Sequence, residues 1–197
     1  MTAAIRVSVS LVAVEADAVP AHHRFQGVQF KGKDWDLSHL DAFGMRLDPG
    51  LGFEVDVIIL FSCHCFTHAI DWGRPQSIPA DETFHDGREQ RILDEERYLR
   101  SKQFLPRLVK ELVSRTILIT TGGTGQNFVT LEVTEADGQS VNYAMFFDAE
   151  KDKHRRKRVL LRIQSAYLLD SLSHRLASAA KVRFPRLIKA AYLGRKI

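Results

Sequence analysis

The sequence predicts an α+β fold: one mainly antiparallel β-meander packed against helices, in a single domain over residues 1–197. Two patterns and one bulk property carry this. Strand-like alternation and helical periodicity fall in separate runs, where a doubly wound fold would alternate them. From Thr116 onward, apolar runs are separated by short turns containing Gly122, Gly123 and Asp137-Gly138, as in hairpin-connected strands. The 197 residues are 45% hydrophobic and 26% charged, a balance that excludes collagen-like and low-complexity classes.

Each element has its own signal. In Ile5–Val14, the residues Ile5, Val7, Val9 and Leu11 alternate with Arg6, Ser8 and Ser10, which predicts a half-buried strand. Glu15 and Asp17 occupy the place where a signal-peptide cleavage region would be small and neutral. Arg24–Phe30 reads as a second strand. Lys31–Gly52 reads as loop because of Gly32, Gly44, Pro49, Gly50 and Gly52, with a short turn at 36–40. Phe53–Thr67 is the most apolar run and predicts a strand covered on both faces. Ala69–Thr83, with Pro75 and Pro79, reads as loop.

A helix is predicted over about 87–103, with Asp86 as N-cap and Glu89 completing a capping box. Pro106 is expected to end it and open a second helix carrying Leu108, Val109 and Leu112. The meander follows as Thr116–Thr121, Phe128–Thr134, Val141–Phe147 and Arg158–Gln164. Leu168–Ala180 reads as an amphipathic helix. Pro185–Leu193 reads as a last helix stopped by Gly194.

Charge is divided unevenly. The whole chain is +4, yet residues 151–197 hold 14 of the 28 Lys and Arg and only Asp152 and Asp170 as acids. That basic C-terminal segment is +12 and the rest of the chain −8. Such asymmetry points to RNA or another polyanion, or to an acidic protein partner. A solvated basic face is the competing reading. The residues expected to bind nucleic acid are Arg155, Arg156, Lys157, Arg158, Arg162, Tyr167, Arg183 and Arg186. In an extended strand, Arg158, Leu160, Arg162 and Gln164 share one face, with Tyr167 closing it.

Ser62-Cys63-His64-Cys65-Phe66-Thr67-His68 is the densest chemical string. If extended, Cys63 and Cys65 point to one face about 7 Å apart, too far for a strain-free disulfide. That suits a reducing cytoplasm. The longest purely apolar run, Val57–Phe61, is far short of the ~18 residues of a membrane helix. Zinc ligation by Cys63, Cys65 and His68 is the weaker option, since C-x-C with one His departs from structural zinc spacing. No cofactor motif is present: Gly122-Gly123-Thr124-Gly125 lacks the Gly-Lys-Ser/Thr of a phosphate loop.

Imidazoles titrating at about pH 6.5 can exchange protons near neutrality. His64 or His68 as base, with Arg88 and Arg97 holding phosphate and Tyr98 or Ser165 assisting, would be sufficient for metal-free RNA cleavage. The alternative is ordinary surface and capping roles for these residues.

The strings FSCHCFTH (61–68), FHDGREQRILDEERYLRSKQFLP (84–106), LLRIQSAY (160–167) and KVRFPRLI (181–188) resemble small bacterial proteins labelled stationary-phase growth adaptation or heat-shock C proteins. The resemblance covers residues 53–197. It implies a stress-related setting, with some members in toxin–antitoxin-like gene neighbourhoods, and supplies no catalytic residue. Two functions are therefore expected. One is a metal-independent endoribonuclease of bacterial toxin type. The other is a non-catalytic regulatory protein that binds an acidic partner through its basic C-terminal region.

Overall fold

A computed structural model describes residues 8–73, 77–119, 127–134, 138, 140–169 and 179–195. Among these residues, eight strands form one sheet in the order β1-β4-β5-β12-β11-β10-β9-β13. They are β1 (Val9–Val12), β4 (Phe43–Leu47), β5 (Val55–Phe61), β9 (Thr116–Ile119), β10 (Asn127–Thr134), β11 (Ser140–Lys151), β12 (Arg158–Leu169) and β13 (Ala180–Arg183). Two small sheets complete the set: β2 (Val28–Phe30) with β3 (Lys33–Trp35), and β6 (Thr67–Ala69), β8 (Gln90–Leu93) and β7 (Thr83–His85). Helices α1 (Glu95–Glu111) and α2 (Phe184–Tyr192) contribute to one core against the large sheet. The fold is α+β, and every strand pair is antiparallel except β5 with β12.

The core lies between the sheet and the helices. Val57, Ile59 and Phe61 of β5 meet Leu161 and Ile163 of β12, Leu105 and Leu108 of α1, and Leu187 and Ile188 of α2 in one buried cluster. Ile58 and Leu60, on the other face of β5, are also buried, so this strand is covered on both sides as its composition predicts. A smaller cluster of Phe128, Ala144 and Phe146 fills the outer face farther along.

The stretch from Glu15 to Arg24 returns over β12 and the end of β5. Arg155 reaches Asp17 at 2.8 Å, and Arg158 reaches Glu15 at 3.4 Å. Asp56 donates its N–H to the Lys157 carbonyl just before β12 and Ser62 donates to Ile163 within it, which turns the Phe61 carbonyl toward β4. β4 ends at its Phe43–Ile59 pair, and His23 Nδ1 satisfies that carbonyl at 2.6 Å.

Several elements differ from expectation. The 31–52 segment contains β3 and β4 rather than continuous loop. Residues 67–69 and 83–85 are strands of the small sheet. Asp86 does not cap a helix. Gly87 sits at φ 92°, and Asp86 Oδ1 accepts the N–H groups of Arg88 and Glu89, which closes a β7–β8 hairpin. Asp94 is the N-cap, accepting Arg97 N–H at 3.0 Å, with Glu95 and Glu96 in the first turn. α1 continues through Pro106, whose lost backbone bond is offset by burial of Leu105, Leu108 and Val109. Cys63–Cys65 is a 3-10 turn, not extended chain, because the Ser62 hydroxyl accepts His64 N–H.

β12 runs to Leu169 and β13 begins at Ala180, so the ends of the expected 168–180 helix are strand. Its middle lies outside the described residues, as do the Gly122–Gly125 turn, Ile5–Val7 and Asp137. The last helix and the Gly194 stop, at φ 64°, are as predicted.

Candidate functional site

The chemistry-bearing residues gather where β5 ends, the 63–65 turn passes beneath the β7–β8 hairpin, and α1 begins. Three clusters form there. In the first, His64 Nε2 lies 2.7 Å from Glu89 Oε1, and Arg91 Nη1 donates to the same oxygen at 3.1 Å. The hydrogen bond with His64 holds Glu89 below its ordinary carboxylate range, helped by Arg91. Arg91 is buried and also donates to Thr67 Oγ1 at 2.8 Å, which in turn donates to Cys63 O. Cys63 Sγ is 3.6 Å from Asp86 Oδ2. Burial, with the Asp86 carboxylate, pushes the Cys63 thiol up to about 12. Cys63, His64 and Glu89 each offer a donor atom within 4.8 Å of the others.

The expected zinc set of Cys63, Cys65 and His68 is not assembled. The 3-10 turn sends Cys65 into the core, where burial raises its thiol to about 12. His68 bonds elsewhere. Both cysteines are reduced thiols.

The second cluster is His68, Asp94, Arg97 and Tyr167. His68 Nδ1 is 3.2 Å from Asp94 Oδ2. Arg97 Nη1 donates to the carbonyls of His64 and Thr67, its Nε lies 3.5 Å from Asp94, and its guanidinium sits 5.0 Å over the Tyr167 ring. These contacts fix the arginine beside a cleft of about 250 Å³ lined by Asp94, Glu96, Arg97, Arg100, Tyr167 and Leu168. A bulge makes this possible. Phe147 pairs with Ile163 and Phe146 with Ser165, so Gln164 is an extra residue in β12. Without it, Tyr167 would face away from Arg162's side of the sheet; with it, Tyr167 packs with the outer-face cluster and stacks on Phe146 at 5.4 Å. The ring is thus occupied by Phe146 and Arg97, which corrects the expected base-stacking role.

The third cluster is buried His23, half-buried His22 and Arg162, and exposed Arg88. Burial, then repulsion from Arg88, lowers His22, and burial lowers His23. Arg162 donates to Glu150 at 2.7 Å. Arg88 is exposed at the hairpin tip.

The other expected site residues are dispersed or committed. Tyr98 is buried, stacked on Trp35 at 4.3 Å, with its hydroxyl donating to Asp36 O. That is a core role, not an assisting one. Ser165 is half-buried opposite Phe146. Arg158 is buried against Asp152 at 2.6 Å, and Arg155 is paired with Asp17 and Glu15. Lys157 lies over the Phe53 ring. The expected Arg155–Arg158 nucleic-acid track is therefore largely neutralised by the chain's own groups. Arg156, Arg183 and Arg186 are exposed, with no ion-pair partner among the described residues.

In the sequence, Asp86 and Glu89 read as a capping box, and Arg91 and Asp94 sit in no chemical motif. The Asp86-Gly87 pair is a hairpin signal, and Asp94-Glu95-Glu96 is a helix start; together they read 86–94 as a hairpin leading into a helix, and the placement of its carboxylates beside the 63–68 string is a long-range contact that no local signal encodes. No helix among the described residues is long and apolar enough to cross a membrane. Neither a curated protein nor a solved structure matches the chain. The family model described as the YjaZ family matches residues 27–192, most of both the large sheet and the candidate site, and the chain belongs to the YjaZ family.

Proposed function

We propose that the protein is a metal-independent endoribonuclease in which His68 is the base. The observation that carries this reading is the His68–Asp94 pair beside a cleft that holds Arg97. Asp94 engages Nδ1, so the proton on that nitrogen is fixed and Nε2 is the atom that exchanges protons. Nε2 takes the proton of a ribose 2′-hydroxyl as its oxygen attacks phosphorus. The P–O5′ bond breaks, a 2′,3′-cyclic phosphate forms, and the proton returns from Nε2 to the leaving 5′-oxygen. Arg97 Nη2, which has no partner among the described residues, faces the added phosphorane charge. Arg97 itself is pre-positioned by two carbonyls and the Tyr167 ring, so little order is lost on binding.

Asp94 and Glu96 balance Arg97 and Arg100 around the cleft. That near-neutral lining suits one phosphodiester rather than a long polyanion track. Toxin-type action is in keeping with the resemblance in the 61–68 and 84–106 strings.

The test is a mixed pool of end-labelled RNAs in buffer without added divalent ions. Cleavage leaving cyclic-phosphate ends is expected, falling about 10²- to 10⁴-fold in His68→Ala. Intact RNA across the pool, or wild-type cleavage by His68→Ala, overturns the reading.

A second reading, docking of an acidic partner, is favoured by β13. It is the last strand in the large sheet, and it carries exposed Lys181 and Arg183 with Arg186 just beyond. A strand edge with outward cations fits an extended acidic segment.

A further inference from the structure

We propose that Cys63, His64, Asp86 and Glu89 form a binding site for one zinc ion that clamps the β7–β8 hairpin to the turn after β5. This site is separate from the His68 cleft and does not depend on the ribonuclease reading.

The donor geometry comes first. Cys63 Sγ, His64 Nε2 and Glu89 Oε1 lie within 4.8 Å of one another, and Asp86 Oδ2 is 3.6 Å from Sγ. Zinc bonds of about 2.3 Å to sulfur and 2.0–2.2 Å to nitrogen or oxygen, set tetrahedrally, put donors roughly 3.3–3.7 Å apart. Cys63, His64 and Glu89 need only small rotations to reach that spacing, whereas Asp86 touches Sγ but lies outside that group of three and must swing its carboxylate in to complete the tetrahedron. The short His64–Glu89 contact opens slightly, and the ion takes the place of the shared hydrogen.

The donors are also held from behind. Asp86 Oδ1 accepts Arg88 N–H at 2.8 Å and Glu89 N–H at 3.0 Å, which directs Oδ2 toward Cys63. Gly87, at φ 92°, allows the turn that brings Asp86 and Glu89 to the same side. Glu89 is anchored by Arg91, itself buried and bonded to Thr67. The His64 backbone is fixed at both ends: its N–H donates to Ser62 Oγ, and its carbonyl accepts Arg97. Such outer contacts are what orient metal ligands in known sites.

Charge balance favours a divalent ion. A thiolate and two carboxylates against a dication leave one negative charge, and the buried Arg91 guanidinium sits beside Glu89 to offset it. The thiol proton leaves to solvent on binding. A mixed thiolate, imidazole and carboxylate set is borderline-soft, which selects zinc over calcium or magnesium. Four protein donors make the site closed, hence structural rather than catalytic. It would join residues 63–64 to residues 86–89, two segments otherwise held together by few side-chain bonds.

The full-length chain, stripped with a chelator and dialysed, is titrated with Co²⁺ as a spectroscopic stand-in for zinc. The expected result is saturation at one equivalent, with the visible absorption of tetrahedral cobalt and a thiolate-to-cobalt charge-transfer band. One equivalent of Zn²⁺ should bleach both. Cys63→Ser should remove the charge-transfer band, and Cys65→Ser should keep it. The paired Asp86→Asn, Glu89→Gln variant lies on an exposed hairpin and keeps Cys63 and the core. With an unchanged circular dichroism spectrum, it should bind cobalt at least about 10-fold more weakly. If Cys63→Ser does not fold, that hairpin variant decides. Absence of a stoichiometric tetrahedral spectrum in the wild type, a charge-transfer band that survives Cys63→Ser, or wild-type affinity in the hairpin variant overturns the site.

Discussion

His39 shows how a single buried proton site couples pH to the fold. Ser101 Oγ donates to Tyr98 O at 2.8 Å, so it must accept from His39 Nε2 at 2.8 Å. Nε2 therefore carries the hydrogen, and the buried Nδ1 has no hydrogen-bond partner among the described residues. Burial, followed by repulsion from Lys102, pushes His39 down to about 4. In the unfolded chain the imidazole returns to about 6.5. Between these values the unfolded state holds the extra proton, so stability rises with pH across the window and falls as pH drops from 6.5 toward 4. The full difference is about 3 kcal/mol. His39→Gln can still donate to Ser101 but does not titrate. Urea midpoints at pH 7 and pH 4.5 should show a smaller acid loss in the variant than in the wild type. Equal losses would place the acid sensitivity elsewhere.

Residue-level legibility in the sequence follows the same distinction between type and placement. That Cys63, Cys65 and His64 matter locally could be read from their crowding. Which way each points could not, because strand parity presumes extended chain, and one hydroxyl from Ser62 turned the segment into a 3-10 turn. After that turn, His64 keeps Cys63 as a neighbour and Cys65 goes to the core.

At the scale of elements, β1 is an edge strand held against β4 with no room to spare. A Cβ on Gly44 would fall 2.6 Å from Val12 O and 2.8 Å from Val12 Cγ2, its partner across the pair. Gly44→Ala must therefore push β1 outward. Leu11 on β1 is 73% exposed, so the displaced strand takes little core with it. The expected cost is about 1–3 kcal/mol. Amide exchange should rise at Val9–Val12 and stay slow in β5; slow exchange throughout would mean the backbone accommodates the methyl. The same glycine is why β4 reads as loop in the sequence, since Gly44, Pro49, Gly50 and Gly52 crowd one stretch. The hairpin-linked strands β10, β11 and the start of β12 were legible because their pairing is local. The β5–β12 pair was not: it joins residues a hundred positions apart, and no local periodicity encodes such a partner.

For the whole molecule, the question is where the +12 of residues 151–197 goes. Much of it is spent inside. Arg158 meets Asp152 and Glu15, Arg155 meets Asp17, Arg162 meets Glu150, and Lys189 bonds the Gly50 carbonyl. A count of charges along the chain cannot show this, because the partners at 15 and 17 are far away in sequence. The cations left facing out on β13 and α2 are Lys181, Arg183 and Arg186. If single-stranded RNA engages this edge alone, with exposed Arg156 of the β11–β12 turn left out of contact, three contacts at about 0.7 released counterions each give a slope near −2 in a plot of log affinity against log salt. If the whole segment faced outward, ten or so contacts would give roughly −7. Fluorescence anisotropy with a labelled oligonucleotide separates the two. The wild type is expected near −2, and Lys181→Glu with Arg183→Glu should bring binding close to zero. The paired Glu15→Gln, Asp17→Asn variant frees Arg155 and loosens one contact of Arg158, so its slope should steepen by about one. A wild-type slope of −6 or steeper would mean these ion pairs open whenever a polyanion arrives, and the self-neutralised surface would then be a resting arrangement of the basic segment rather than its limit.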